Sequence, residues 1–134
     1  MNAIPPASKS PRMLFVAPDD YPAYRVDLTE LFSRHLVARG LRIDWSLHRT
    51  NLGEAGIEDR GAERFILPSR REGGKLARIR NRLSNGAQRW RLVWRTARGD
   101  YDFVQVRDYI YWGFPFLLAA RIARKPFVYW MSFP

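Results

Sequence analysis

The chain has 134 residues, of which 46% are hydrophobic and 14% aromatic, and it carries a formal net charge of +10 and no cysteine. A chain of this length is the size of one domain, and its hydrophobic content predicts a folded core and argues against intrinsic disorder. The lack of cysteine excludes a disulfide framework, a thiol nucleophile and a thiolate metal site. No apolar run reaches the ~18 residues that a membrane-spanning helix needs.

The beginning of the chain sets the expected domain limits. Residues 1–12 contain no hydrophobic region of the kind found in signal peptides. We therefore expect a disordered lead-in over residues 1–12 and a protein of the cytoplasm. Residues 13–134 are expected to form one domain.

Strands are predicted where short apolar runs are bounded by polar or turn-forming residues. Met13–Ala17 is the first such run, and a turn-rich loop over Pro18–Pro22 and a helix from about Tyr24 to Arg39 follow it. Arg42–His48 is the second strand. Because polar and apolar residues alternate in it, we expect one solvent-facing side and a place nearer the sheet edge than the first strand.

The middle of the chain is more polar. Arg49–Glu63 is rich in glycine and charge, which is typical of a surface loop, and Arg64–Pro68 is a short third strand. A helical segment follows over about Gly74–Arg98. The Asn85-Gly86 pair could divide this segment into two helices.

The last third contains two apolar runs, Phe103–Val106 and Phe127–Met131, separated by a helical segment over Tyr109–Arg124. Parallel strands that are buried on both faces are near-continuous apolar runs of this kind. The alternation of strands and helices along the chain predicts an α/β fold, a Rossmann-like doubly wound parallel sheet.

Polar residues stand directly after the apolar runs, where the strands should end. In open α/β sheets, ligands bind just beyond the carboxyl ends of the strands. We therefore predict a substrate-binding site made of six residues: Asp19, Asp20, Tyr21, Arg107, Asp108 and Ser132.

Each of these predictions has a structural alternative. Two acids without a glycine would repel a phosphate, so the functional interpretation of Asp19 and Asp20 is contact with a polar substrate such as a sugar. Alternatively, these acids complement the dipole of the helix that follows them. Arg107 and Asp108 could form an ion pair that fixes the strand end, and Ser132 could cap a helix.

Few other residues suggest chemistry. His35 lies on the apolar side of the first predicted helix, and His48 ends the second strand. Neither has a second histidine or a carboxylate at ligand spacing, so we predict no metal site. No nucleophile-elbow, Walker-type or dinucleotide-binding motif occurs, so catalytic residues stay unassigned.

Positive charge is concentrated in one segment. Between Arg70 and Arg98 there are ten Lys or Arg residues and one acid, Glu72, a net charge of +9 out of the total of +10. The apolar residues of this segment recur every three or four positions and form one stripe, as in an amphipathic helix. This stripe consists of Leu76, Ile79, Leu83, Ala87, Trp90, Trp94 and Ala97.

Cations beside a tryptophan-bearing stripe are typical of a helix that lies in the interface of an anionic membrane. We predict that a membrane surface or another anion is bound by Lys75, Arg78, Arg82, Arg89, Trp90 and Arg91. The alternative is a surface helix whose tryptophans pack on the sheet while its arginines are merely solvated. Nucleic acid is not favoured as a partner, because no nucleic-acid-binding motif is present.

Two blocks near the end of the chain resemble a known family. Tyr101–Asp108 (YDFVQVRD) and Lys125–Pro134 (KPFVYWMSFP) resemble the N-terminal domain of family 4 glycosyltransferases, and a weaker match extends back to Met13. Those enzymes have the GT-B fold, in which two Rossmann-like domains face each other across a cleft. The resemblance implies an acceptor-side domain, incomplete at its C-terminus, of a protein that continues into a C-terminal domain.

The resemblance also implies an activity. It implies a retaining hexosyltransferase that moves a sugar from a nucleotide-sugar donor to a glycan or lipid-linked acceptor in cell-envelope or exopolysaccharide synthesis. Such an enzyme would act as a peripheral protein at the cytoplasmic face of the membrane, without a metal or other cofactor.

Two of the family's motifs are replaced in this chain. Pro18–Pro22 stands where the family has a glycine-rich loop, and Arg107-Asp108 stands where many members have a histidine motif. Catalytic roles therefore do not transfer. The chain alone is expected to be inactive, because the resemblance implies that half of the cleft and the donor site lie in another domain. The alternative from a different class is a non-catalytic, basic Rossmann-like module that binds an anionic membrane surface or a polyanion.

Overall fold

The computed structural model describes residues 10–21, 28–49 and 51–132. These residues form strands β1 to β6 in chain order: Arg12–Tyr21, Arg42–Arg49, Gly56–Arg60, Glu63–Leu67, Phe103–Arg107 and Phe127–Trp130. They also form helices α1 to α3: Thr29–Leu36, which is wound as a π-helix, Lys75–Ala97 and Ile110–Ala123.

The strands pair in the order β3-β4-β2-β1-β5-β6. All neighbouring strands are parallel except the β3–β4 pair. From β1 the chain moves first to β2 and β4 on one side, and later to β5 and β6 on the other. The strand order therefore reverses between β1 and β5, as in a doubly wound sheet. The prediction of an α/β, Rossmann-like fold is confirmed.

Helices cover both faces of the sheet. On one face, the Phe32 ring of α1 meets the Phe15 ring edge to face at 4.9 Å, and Phe15 stacks on Trp45 at 4.8 Å. On the other face, Leu92 of α2 and Phe116 of α3 pack in one buried cluster with side chains of β1. Successive side chains of a strand point to opposite faces, which is why the buried part of β1 is continuously apolar.

The prediction of a solvent-facing side on β2 is wrong. This strand is third from one edge of the sheet, just as β1 is third from the other. Asp44 and Ser46, which suggested a wet face, are each 2% exposed. Asp44 is stable there because it forms a salt bridge with Arg12 at 3.2 Å and accepts a hydrogen bond from the Tyr101 hydroxyl at 2.8 Å.

The prediction that Arg49–Glu63 is a loop is also wrong. It contains β3, whose five residues are all exposed and which pairs antiparallel with β4 at the edge of the sheet. An exposed edge strand is built from backbone hydrogen bonds and carries charge on its side chains. Its sequence therefore lacks the alternation of apolar and polar residues from which a strand is predicted.

The predicted loop over Pro18–Pro22 is instead strand as far as Tyr21. After an irregularity between Val16 and Asp20, β1 pairs again with β2, and Tyr21 lies opposite Arg49. The other boundary predictions fall partly outside the described residues: the lead-in up to Lys9, and the start of the predicted helix at Tyr24. At the end of that lead-in, Arg12 already belongs to β1. Helix α2 runs unbroken through Gly86.

Candidate functional site

The carboxyl ends of β1, β2, β5 and β6 bring polar side chains together at one end of the sheet, which we call the carboxyl edge. Asp19 and Asp20 lie near the end of β1, His48 near the end of β2, and Arg107 ends β5. This edge includes the point between β1 and β5 where the strand order reverses. Ligands of doubly wound sheets bind in the crevice at such a point.

Arg107 joins three of these strand ends. Its Nη1 lies 3.9 Å from Asp19 Oδ2, and its Nε lies 3.4 Å from Asp108 Oδ2. The guanidinium also lies over the Trp130 ring, 4.8 Å from the ring centroid, and only 1% of the side chain is exposed. A buried charge is stable only with partners. The ion-pair interpretation of Arg107 and Asp108 is therefore confirmed, and direct contact between Arg107 and a ligand stays a prediction.

Hydrogen bonds between Asp108 and Ser132 link the segments that follow β5 and β6. The Asp108 carboxylate accepts hydrogen bonds from the backbone N–H of Ser132 at 2.8 Å and from the Ser132 hydroxyl. The backbone of Asp108 has a φ of 51°, in the left-handed region that few residues other than glycine adopt. Residues held in this region cluster at functional sites. Ser132 thus supports the strained turn on which Asp108 sits.

A second cluster lies at the same edge and joins β2, α2 and the start of α3. His48 Nε2 is hydrogen-bonded to the Tyr109 hydroxyl, and Arg89 Nη2 donates to that same hydroxyl at 2.8 Å. The Arg89 guanidinium lies over the Tyr109 ring at 4.7 Å and over the Trp112 ring at 5.5 Å. Asp20 lies opposite His48 in the pairing of β1 with β2, so this cluster adjoins the acids of β1.

Burial and the charges around the cluster together favour the neutral form of His48. Burial first, and then the positive charge of Arg89, lower the pKa of His48 from its ordinary value, while Asp20 and Asp19 oppose this shift. Burial likewise raises the pKa of the Tyr109 hydroxyl, and Arg89 opposes that shift. Because Arg89 donates to the Tyr109 oxygen, the hydroxyl proton can point to His48 Nε2. His48 then keeps its own proton on Nδ1.

Five of the six predicted substrate-binding residues lie at the carboxyl edge, and one lies in the core. Asp19, Asp20, Arg107, Asp108 and Ser132 lie at the carboxyl edge, as the strand-end argument predicts. Tyr21 does not, since it is 7% exposed and belongs to the core, where its ring packs on the Phe65 ring at 4.7 Å.

Sequence reasoning missed two members of this site and misplaced a third. His48 lies one residue before the end of β2, and Tyr109 follows β5 by two positions, so the same strand-end argument could have found both. Arg89 was predicted to bind a membrane or another anion. It is instead half-buried and bonded to Tyr109, because its position on α2 points toward the sheet edge.

The other predicted anion-binding residues of α2 are exposed to solvent. Lys75, Arg78, Arg82 and Arg91 are exposed, and Trp90 is 57% exposed. The alternative in which the tryptophans of α2 pack on the sheet is therefore wrong. The buried residues of this helix are Leu92 and Thr96, which lie on the opposite side from the apolar stripe.

Two further observations concern the described ranges 10–21, 28–49 and 51–132. Within them, no helix combines the length and the apolar character needed to cross a membrane. Within the same ranges, no three His, Asp or Glu side chains are grouped so as to hold a metal ion, and metal independence stays a prediction.

Comparisons with known proteins do not assign the chain to a family. No protein-family model matches it, and no curated protein sequence matches it. The class that the fold defines is thus an α/β protein with a Rossmann-like doubly wound sheet.

Proposed function

We propose that this chain is the acceptor-side domain of a retaining glycosyltransferase that uses a nucleotide-sugar donor. The acceptor would be a polysaccharide or a lipid-linked glycan of cell-envelope or exopolysaccharide synthesis. The observation that carries the proposal is the gathering of carboxylates, an imidazole and a phenol at the reversal point of the sheet. That is where this fold class binds small polar ligands.

The chemistry of this edge suits a ligand rich in hydroxyl groups. Asp20 is exposed, and its carboxylate can accept hydrogen bonds from sugar hydroxyls. Neutral His48 adds a donor or acceptor beside it, and Tyr109 offers an aromatic ring held in place by Arg89. Arg107 fixes the position of Asp19. These roles are binding and positioning roles, and none of these residues is assigned a catalytic one.

In this proposal the donor is bound by a second domain, and transfer needs no metal or other cofactor. The protein would work in the cytoplasm, at the inner face of the cell membrane. The chain alone would therefore bind acceptor without transferring sugar. Nucleotide-sugar-dependent transfer by the 134-residue chain alone would contradict this division of roles.

The binding part of the proposal is tested by nuclear magnetic resonance. Isotope-labelled chain is titrated with a soluble short-chain prenyl-diphosphate-linked sugar, and with the same prenyl diphosphate without sugar as the control. The proposal expects the resonances of Asp20, His48 and Tyr109 to shift with the sugar-bearing probe more than with the control. Shifts confined to the β3–β4 edge, or equal shifts with both probes, would reject a sugar site at the carboxyl edge.

A second candidate function is the non-catalytic basic module that binds an anionic membrane surface or a polyanion. The observation that favours it is the exposure of the tryptophan-bearing stripe of α2. The two candidate functions differ in whether a ligand binds at the carboxyl edge. The glycosyltransferase domain would bind sugar there, and the basic module needs no ligand there. Unchanged resonances at that edge in the titration, together with binding to an anionic surface, would favour the second candidate.

A further inference from the structure

The apolar stripe of α2 faces solvent. Leu76, Ile79, Leu83, Trp90 and Trp94 are 84, 55, 70, 57 and 67% exposed. At about 100° per residue these positions fall within roughly 60° of one another, on the side of the helix away from the sheet. Monomeric proteins rarely expose a contiguous apolar patch of this kind without a partner for it.

Helix α3 continues the same apolar surface. Ile110, Phe114, Leu118 and Ile122 recur every fourth residue and are 63, 70, 62 and 65% exposed. Residues four apart lie on one side of a helix, so these also form a stripe. Both helices lie on the same face of the sheet.

The two stripes meet in a groove of about 430 Å³. Trp90, Trp94 and Ala97 line it from α2, and Phe114, Leu118 and Ile122 line it from α3. We call the two stripes and this groove the α2–α3 surface. Its helices are held together by an edge-to-face contact between Trp90 and Trp112, with ring centroids 5.5 Å apart.

Positive charge borders this surface. Helix α2 carries seven Lys or Arg residues and no acid. By the same helical period, exposed Arg80, Arg91 and Arg98 lie along one border of its stripe, and exposed Lys75 and Arg82 along the other. Exposed Arg121 and Arg124 add charge at the end of α3.

We propose that the α2–α3 surface docks onto a lipid bilayer that contains anionic headgroups. In this arrangement both helices lie in the plane of the interface, with the exposed tryptophans, Phe114 and Leu118 at the boundary between headgroups and acyl chains. The bordering arginines meet the lipid phosphates. This geometry is that of interfacial amphipathic helices, which bind by apolar burial together with attraction to anionic lipid.

Charge and apolarity together select this partner. A second copy of the chain would bring an equally positive α2 against the first, and the like charges would repel. A nucleic acid would neutralise the charge but offers no apolar phase to aliphatic side chains such as Leu83 and Ile122. An anionic bilayer supplies both. The inference deepens the membrane part of the second candidate function and does not depend on the sugar-binding proposal.

The test uses the full chain and two kinds of vesicle, one of phosphatidylcholine alone and one of phosphatidylcholine and phosphatidylglycerol in roughly equal amounts. Binding is measured by co-sedimentation, and burial of the tryptophans by a blue shift of their fluorescence. We expect at least about tenfold stronger binding to the anionic vesicles, accompanied by the blue shift. Each bordering cation is expected to contribute about fivefold.

Matched substitutions separate this surface from the rest of the chain. Ile122→Ser is compared with Ile57→Ser, since Ile122 and Ile57 are 65 and 58% exposed but Ile57 lies on β3. Arg91→Gln is compared with Arg42→Gln, since both residues are exposed and both changes remove one charge. Ile122→Ser and Arg91→Gln should each weaken vesicle binding several-fold, and the two control variants should leave it unchanged.

Three results would overturn the proposal. The first is equal binding to both vesicles or binding to neither. The second is equal loss of vesicle binding in Ile122→Ser and Ile57→Ser. The third is a concentration-dependent dimer that Ile122→Ser abolishes, which would assign the surface to a second copy. Vesicle binding that persists in Asp20→Asn would show that the membrane surface and the carboxyl edge act independently.

Discussion

Both ends of the sheet carry a buried ionic cluster, but the carboxylates of the cluster at the carboxyl end are less buried than the carboxylate at the amino end. At the amino end, Asp44 is 2% exposed, and it is held by Arg12 and by the Tyr101 hydroxyl. At the carboxyl end, Arg107 is equally buried, but Asp20, which follows its partner Asp19 on β1, is exposed. The same residue types thus form a closed structural cluster at one end and an open edge at the other.

Backbone geometry separates the two ends further. Asp108, at the carboxyl end, has a φ of 51° and is held by Ser132. The residues of the amino-end cluster are not among those with positive φ in the described part of the chain. Buried polar residues alone do not indicate a binding site. Burial combined with an exposed partner and a strained turn is the better guide.

The comparison predicts the largest loss of stability at the amino end. Asp44→Ala leaves the guanidinium of Arg12 and the hydroxyl of Tyr101 without their shared acceptor in a buried setting. We expect the free energy of unfolding to fall by about 3 kcal/mol, measured by denaturant titration. Asp59→Ala is the control, because Asp59 pairs with Arg64 but its side chain is 66% exposed, and it should cost less than about 1 kcal/mol. Similar losses of unfolding free energy in the two variants would mean that Asp44 stabilises the fold no more than a surface ion pair does.

A smaller loss is expected at the carboxyl end. Arg107→Gln removes the charge that holds Asp19 and Asp108, but these carboxylates are 13 and 31% exposed and keep some contact with water. The expected cost is about 2 kcal/mol in the free energy of unfolding. Arg64→Gln, at a surface pair, is the matched control. A cost for Arg107→Gln as small as that of its control would mean that Arg107 does not hold the strand ends together.

These contrasts show where sequence reasoning was sufficient. Strands buried on both faces, such as β1 and β5, were predicted because burial makes them nearly continuous apolar runs. Strand β3 was missed because all five of its residues are exposed, so only backbone pairing defines it. The stripe of α2 revealed the helix but not its orientation. An amphipathic period does not say whether the apolar side meets the sheet or the solvent.

The candidate site was predictable only in part, because some of its contacts join residues that are far apart in the chain. The strand-end argument depends on local sequence, and it found Asp19, Asp20 and Arg107. The partners of Asp44 and His48 are set by the fold. Asp44 lies 57 residues from Tyr101, and His48 lies 61 residues from Tyr109. No local pattern links residues at that separation.

The smallest expected effect on stability is a pH dependence at the carboxyl edge. Burial, and then Arg89, hold the pKa of His48 below 6.5 in the folded chain. The unfolded chain therefore binds more protons as the pH falls below 6.5, so stability should decrease there and be fully present above it. In His48→Gln the loss of stability between neutral pH and about pH 5 should be smaller than in the unchanged chain.

The control for this prediction is His35→Gln, the matched substitution at the exposed histidine of α1. Titration of the His48 ring protons by nuclear magnetic resonance gives an independent measure. Equal pH slopes for His48→Gln and the unchanged chain would contradict the prediction. A ring titration above 6.5 would contradict it as well.

The most direct test of the contrast between the two ends measures affinity and stability in one pair of variants. The affinity of the prenyl-diphosphate-linked sugar is measured for Asp20→Asn and for Asp44→Asn, under conditions where both are folded. We predict that Asp20→Asn binds about tenfold more weakly, with unfolding free energy within about 0.5 kcal/mol of the unchanged chain. Asp44→Asn should be less stable but bind normally. Normal binding by Asp20→Asn and weakened binding by Asp44→Asn would contradict the assignment of the site to the carboxyl edge.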